Sequence, residues 1–330
     1  MVVFHHFAQF GVINHIQPSS INFFSAFFTH YGAMGVDLFF VISGFMMYKT
    51  TNEKSTTPGL FILHRLIRIM PAYWFFTCLT GVLLVTFTKL IPLTEFGPIF
   101  LIKSLLFIPA QNPSGIGLYP LLNVGWTLNY EMAFYLVFAA ALFLRPSYRL
   151  AGICFGIFIM QAVVPKLGSD FGFYANKISF EFLMGIAIGI IHRKNILRIS
   201  VIPAIIITTI CFAFISGASN VHAPFHVGFP FAVCIAIAVS QEKYFKSHAW
   251  LTKLGDWSYS TYLSHILVLS MGYRLVQIEN YNHNFILPVC CGLILLISWA
   301  SYRFLEQGAS RQIKRALGSR GGLPIPDTHR

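Results

Sequence analysis

Apolar runs about as long as a bilayer is thick recur along this chain, and that repetition decides what it can fold into. A spanning helix takes about 20 mostly apolar residues. Runs near that length lie at 22–48, 70–91, 124–144, 150–165, 178–192, 199–216, 225–240, 257–277 and 284–304. The run at 150–165 is short for a span. A tenth apolar stretch, Met1 to about His15, is half a span long. It reads as the outer end of a helix that begins before Met1, so the first helix is expected to be truncated. In a bilayer core every backbone N–H and C=O must be satisfied without water, which leaves helices for such runs. The expected fold is all-α, a polytopic transmembrane helical bundle of about ten spans. Composition agrees: only 10% of the 330 residues are charged, against about a quarter in a soluble domain.

The formal net charge of +12 would suggest nucleic acid on a soluble protein. Here Lys and Arg sit between the apolar runs, so they point to topology and anionic lipid, with no nucleic-acid partner. Assigning alternate loops to the two sides places 18 of the 23 Lys and Arg on one side. The other side keeps Lys89, Lys103, Lys166, Lys177 and Arg274. The positive-inside rule makes the crowded side cytoplasmic, with both termini on it. Residues 92–123 are then the longest extracytoplasmic loop. A short amphipathic piece is expected near 98–108, followed by an irregular stretch around Pro109, Pro113, Gly115, Gly117 and Pro120. The two halves show no internal repeat, which weakens a transporter built from inverted repeats. Residues 1–307 read as one transmembrane domain, and 308–330 as a basic, then Gly/Pro-rich, disordered cytoplasmic tail. The first seventeen residues lack the basic start and cleavage site of a signal peptide. All six cysteines fall inside apolar runs without ligand spacing. They read as small buried residues, and no disulfide or metal is expected.

Ionisable groups in lipid are costly and are functional candidates by default. His5, His6, Asp37, Glu131, Glu181, His265 and Glu306 fall within or at the edge of the runs. Each alone could be a buried group satisfied by a neighbouring helix; several in one bundle suggest a cavity. His5 is a natural general base for a hydroxyl. Glu131 lies about one and a half turns into a helix opened by Trp126, itself at home in an interfacial belt. Arg65 and Arg68, three apart, share a helix face at the cytoplasmic mouth. They are either a topology signal or a clamp for phosphate. Ser43-Gly44 suits close helix packing; as a nucleophile Ser43 would need a base beside it, and no GxSxG elbow is present. These residues fit an enzyme with a cytoplasmic phosphorylated donor, and they also fit a transporter.

Six stretches in order resemble the acyltransferase 3 family, membrane O-acyltransferases that modify bacterial polysaccharides. Val2-Val3-Phe4-His5 resembles the close of its R-x10-H motif, and Gly35 to Phe45 its G-x-D-x-F-F-x-x-S-G-F. Phe61 to Tyr73 resembles F-x-x-x-R-x-x-R-I-x-P-x-Y, and Trp126 to Tyr135 W-x-L-x-x-E-x-x-F-Y. Leu254 to His265 resembles L-G-x-x-S-Y-x-x-Y-L-x-H, and Tyr302 to Glu306 the closing Y-R-x-x-E. The resemblance implies acyl-CoA, usually acetyl-CoA, as donor and no metal. It implies a sugar hydroxyl of a cell-envelope or exported glycan, or a lipid-linked precursor, as acceptor. It assigns catalysis to His5 and Glu131 and donor binding to Arg65 and Arg68. Asp37, Ser43, Tyr73, Trp126 and His265 become substrate or structural site residues. The implied location is the inner (plasma) membrane, multi-pass. Two departures stand out: the motif's Arg would fall before Met1, and His64 stands where Arg is usual. A transporter or flippase without acyl transfer, and a non-catalytic membrane subunit, are the other classes.

The charge split makes one direct prediction. A topology reporter fused after Lys253 should read cytoplasmic and one after Ser219 extracytoplasmic; the reverse pattern would overturn the ten-span assignment.

Overall fold

The computed structural model describes residues 1–13, 22–53, 56–87, 90–218, 222–245, 248–279, 283–309 and 311–312. Among the described residues all regular structure is helical. The helices are α1 (Val2–Ile13), α2 (Asn22–Tyr31), α3 (Gly35–Glu53), α4 (Pro58–Thr86), α5 (Pro98–Leu105), α6 (Trp126–Leu142) and α7 (Arg149–Ala162). They continue with α8 (Phe180–Arg193), α9 (Val201–Ser216), α10 (Phe229–Ser240), α11 (Glu242–Phe245), α12 (Ala249–Glu279) and α13 (His283–Ser301).

Four helical segments are long and apolar enough to cross a membrane: Ala26–Thr51, Pro58–Thr86, Pro146–Leu167 and Ile286–Ala309. A fifth results if Ser169–Ala175 and Lys177–Arg193, bent by 45°, count as one broken span. Of the other apolar runs, the one at 257–277 lies within α12, 31 residues long, and α6, with 17 residues, sits at the lower limit of roughly 17–25 for a span. Within the run at 22–48 a tighter turn at Gly32–Met34 joins α2 to α3, and Ala26–Thr51 remains one helical segment. The short piece expected near 98–108 is α5. Of the expected tail, residues 308, 309, 311 and 312 continue helical; 310 and 313–330 lie outside the described residues. All six thiols are free; Cys211 and Cys290 are buried, Cys234 and Cys291 are half-buried, and Cys78 and Cys154 are exposed. The exposed pair sits on apolar outer helix faces, where a weakly polar thiol is tolerated.

α9 shows why lipid, not propensity, makes these helices. Its Ile-Ile-Ile-Thr-Thr-Ile run is β-branched, which disfavours helix in water. Only Ala204, Cys211 and Ile215 are buried, while Ile202, Ile205, Ile206, Ile210, Phe212 and Phe214 are exposed. A helix apolar on its exposed side is built for a bilayer.

The chain divides into two compact units. Unit 1 comprises Met1–Pro58 and Trp126–Lys253. Its centre is the parallel contact of α3 with α8. A Cβ on Gly44 would lie 2.2 Å from the Phe182 carbonyl oxygen, and one on Gly185 only 2.1 Å from that of Val41. Small residues let helix backbones meet in this way. The register runs from Val41 beside Gly185 to Tyr48 beside Gly189. Above the crossing, Phe40 packs on Phe182 at 4.8 Å, and Phe182 stacks on Phe134 of α6 at 3.9 Å.

Unit 2 comprises Gly59–Gly125 and the chain from Leu254 onward. α4 runs unbroken through Pro71, although proline removes a helix N–H and crowds the preceding turn. The Tyr259 hydroxyl of α12 donates to the Ile69 carbonyl at that place, 2.9 Å away. The next hydroxyls along α12 strap it down as well. Ser260 bonds Ser301 at 2.7 Å and Glu306 at 2.5 Å, Thr261 bonds Ser298 at 2.9 Å, and Tyr262 donates to the Val124 carbonyl at 2.5 Å. The loop 92–123 is ordered around the buried Asn112. Its amide donates to Thr94 Oγ1 at 3.0 Å, and its Oδ1 accepts from Ser114 Oγ at 2.9 Å.

The glycine crossing sets a prediction. Gly185→Ala forces a methyl onto backbone and should destabilise the folded protein by roughly 1–3 kcal/mol, the scale of overpacking. Gly255→Ala, where a Cβ meets nothing within 4 Å, should be neutral or stabilising, because alanine is the better helix former. Thermal unfolding in detergent reads both.

Candidate active site

The candidate residues of unit 1 collect around the start of α3. α1 lies so close to the Gly32–Met34 turn that a Cβ on Gly32 would sit 2.5 Å from the His5 Cβ. Gly35 packs in the same way on Met1 and Val2. His5 Nδ1 donates to the Phe28 carbonyl at 3.0 Å. A carbonyl oxygen only accepts, so Nδ1 carries a hydrogen; in the neutral ring the lone pair is then on Nε2, the form a general base needs. The His5 side chain is half-buried. His6 turns to a different partner, Gln9 Oε1, at 3.0 Å.

Asp37 lies in the first turn of α3 and is 0% exposed. Its Oδ2 accepts from His222 Nδ1 at 2.9 Å. The register of α3 on α8 brings the Glu181 carboxyl, also 0% exposed, to face Asp37. Gly228 closes over Glu181; a Cβ there would meet Oε1 at 2.7 Å. The half-buried Trp126 ring lies 5.7 Å from the His222 ring and 6.5 Å from that of Phe40.

Two turns deeper, α3 meets α6 through Glu131. Its Oε1 accepts from Ser43 Oγ at 2.9 Å and from Tyr135 OH at 2.5 Å. The glutamate is 7% exposed, and two hydroxyls satisfy this oxygen. Ser43 therefore donates to the Glu131 carboxylate. Next to Glu131, Tyr130 donates to the Phe173 carbonyl.

The remaining candidates lie in unit 2. Arg65 is half-buried with its guanidinium 5.4 Å from the Phe61 ring centre, and Arg68 is exposed within electrostatic reach of Glu306. Tyr73 is fully buried; its hydroxyl donates to the Ser104 carbonyl at 2.9 Å and its ring stacks on Phe107 at 4.6 Å. It anchors the loop 92–123. His265 is fully buried, with Nδ1 3.1 Å from the Thr261 carbonyl one turn back. Both positions are in the interior. Among the described residues no three His, Cys, Asp or Glu side chains converge as a metal site.

The sequence alone does not single out His222 and gives Glu181 no role beyond that of a costly buried acid. The signal available was the expense of Asp37 itself. A buried acid needs a donor, and His222 is the nearby loop residue that supplies one.

A family model described as an acyltransferase domain matches residues 1–303. The chain belongs to the acyltransferase 3 family. It is an enzyme that transfers acyl groups. Its similarity to the exopolysaccharide production protein ExoZ of Rhizobium meliloti is 34% identity over 73% of this chain and 77% of that one. It is 26% identical to the acyltransferase MdmB of Streptomyces mycarofaciens, over 75% of this chain and 71% of that one. No solved structure gives a significant match. The motif stretches that carried the resemblance map onto contacts in both units of this acyltransferase: Gly44 on the α3–α8 crossing, Glu131 on the α3–α6 bond, and Tyr259 to Tyr262 on the α12 straps.

The Glu131 cluster sets an asymmetric test. Removing both donors with Ser43→Ala and Tyr135→Phe strands a buried acceptor and should cost about 1–3 kcal/mol. Glu131→Gln keeps a carbonyl acceptor and should cost less. Equal losses in unfolding experiments would show that the hydroxyls do not hold the glutamate.

Proposed function

We propose that this acyltransferase moves an acyl group, acetyl first among candidates, from cytoplasmic acyl-CoA to a sugar hydroxyl of a cell-surface or exported glycan or its lipid-linked precursor. The family match over residues 1–303 carries the reading, and similarity to a protein named for exopolysaccharide production supports a glycan acceptor. It sits in the inner membrane with about ten spans and both ends cytoplasmic, as the distribution of Lys and Arg favours.

His5 Nε2 takes the hydroxyl proton as the oxygen attacks the thioester carbonyl. The C–S bond breaks, and CoA leaves as thiolate and gains a proton. Arg65 and Arg68 hold CoA phosphates, for which a guanidinium fork is suited. Glu131 serves by fixing Ser43 and Tyr135 between α3 and α6. A transporter would move its cargo without acyl-CoA, so acyl-CoA dependence separates the two classes.

The test is label transfer from radioactive acetyl-CoA to envelope polysaccharide by the protein in nanodiscs. His5→Ala should lose roughly 10²–10⁴ in rate while still binding CoA, and His6→Ala should lose far less. Arg65→Ala and Arg68→Ala should each weaken CoA binding roughly ten- to a hundredfold, the scale of a charge-assisted hydrogen bond. Lysine should rescue only in part. Wild-type labelling by His5→Ala would move the base elsewhere. Unchanged CoA affinity in the double arginine variant would leave those residues a topology signal.

A further inference from the structure

At one end of unit 1 the carboxyl groups of Asp37 and Glu181 are both buried and face each other within hydrogen-bond reach. His222 lies over them. Its side chain is 22% exposed, while Asp37 beneath it is 0% exposed. Because a carboxylate only accepts, the hydrogen of the Asp37–His222 bond is on Nδ1, and in the neutral ring Nε2 has the lone pair. The partly exposed His222 edge of unit 1 then offers a hydrogen-bond acceptor. Acceptors are matched by a ligand rich in hydroxyl donors and mismatched by a phosphate or carboxylate.

Two further features point to a binding role. The indole of Trp126 stands 5.7 Å from the His222 ring at 65°, so an aromatic face and a ring nitrogen meet at a corner. A pyranose presents that pair of surfaces, C–H groups on a face and hydroxyls at the edge. The His222 backbone also has φ +64°, a left-handed conformation that costs a side-chain-bearing residue about 1–2 kcal/mol. Such strain collects at functional sites. Here the bond to Asp37 holds it, together with the wide turn that follows, in which Val227 and Gly228 both donate to the Ala223 carbonyl.

We propose that His222 and Trp126 form the subsite for the acceptor sugar, with Asp37 as the residue that positions His222. This rests on the acyl-transfer reading and adds to it the class of group recognised: a hydroxyl-bearing pyranoside, stacked on Trp126 and donating a hydrogen bond to His222 Nε2. His5 remains the base, and His222 contributes to holding the acceptor.

The experiment uses the full chain in nanodiscs, acetyl-CoA as donor, and the methyl pyranosides of glucose, galactose and mannose as acceptor probes. His222→Ala and Trp126→Ala should each raise the acceptor KM tenfold or more, with CoA affinity by calorimetry unchanged. Asp37→Asn should do the same. Its amide can turn an N–H toward Nδ1, which moves the ring hydrogen to Nε2 and converts the acceptor into a donor. His222→Gln, which keeps both a donor and an acceptor, should recover part of the loss. If His222→Ala no longer binds CoA, Trp126→Phe decides, with an expected smaller rise in acceptor KM. Acceptor KM values at wild-type level, or losses confined to kcat, would make the pair a clamp for residues 222–228 and overturn the subsite. A wild-type protein that acylates none of the glycosides would overturn the sugar-acceptor reading and the subsite with it.

Discussion

Unit 1 depends on the contact of two glycines. In a bilayer the surrounding chains are as apolar as the side chains, so helices are held by close packing and polar bonds. Gly44 and Gly185 let α3 and α8 meet backbone to backbone. Once they do, the register is fixed along the pair. It sets Tyr48 against Gly189 at one end and Asp37 against Glu181 at the other. Ser43, beside the crossing on another face of α3, reaches Glu131 on α6. One steric fact thus positions four polar groups.

Unit 2 solves a different problem. Its polar side chains mostly serve backbone groups that helix or loop geometry leaves unserved. Tyr259 reaches the carbonyl at residue 69 near the proline of α4, and Tyr262 reaches the turn at Val124. Ser104 links α5 to the loop by accepting from the Leu121 N–H. In lipid an unserved backbone group costs several kcal/mol, so hydroxyls spaced along a helix do what water does in a soluble protein.

The sequence showed the helical class and the family because both are written in local patterns: apolar runs for the first, short spaced motifs for the second. It showed Ser43-Gly44 as a packing patch because small residues in a span have few other uses. It did not show His222, which lies in a loop outside every motif and acquires a role only through Asp37, 185 positions away. Nor did it show that Glu131 and Ser43 are partners, since nothing local relates residues 88 apart. Tyr73 and His265 carry motif positions and lie in the interior; a motif marks that a residue matters without saying whether it faces substrate or core. Helix ends were the least legible. Gly32–Met34 changes the winding within a helical segment that hydropathy reads as uniform.

Parallel neighbours cannot be joined by a short loop, so α3 and α8 are far apart in the chain, and this has a consequence for biosynthesis. A membrane protein is inserted from its N-terminus. Asp37 enters its apolar helix more than a hundred residues before Glu181 is made, and later still meets His222. Through that interval the acid has none of the neighbours described above. Asp37 lies near the middle of the helical segment Ala26–Thr51, where an ionisable group is costly. The early helix carries that cost until Glu181 and His222 are made. The order of synthesis thus makes the later segments, not the helix that bears the acid, the ones that complete this end of unit 1.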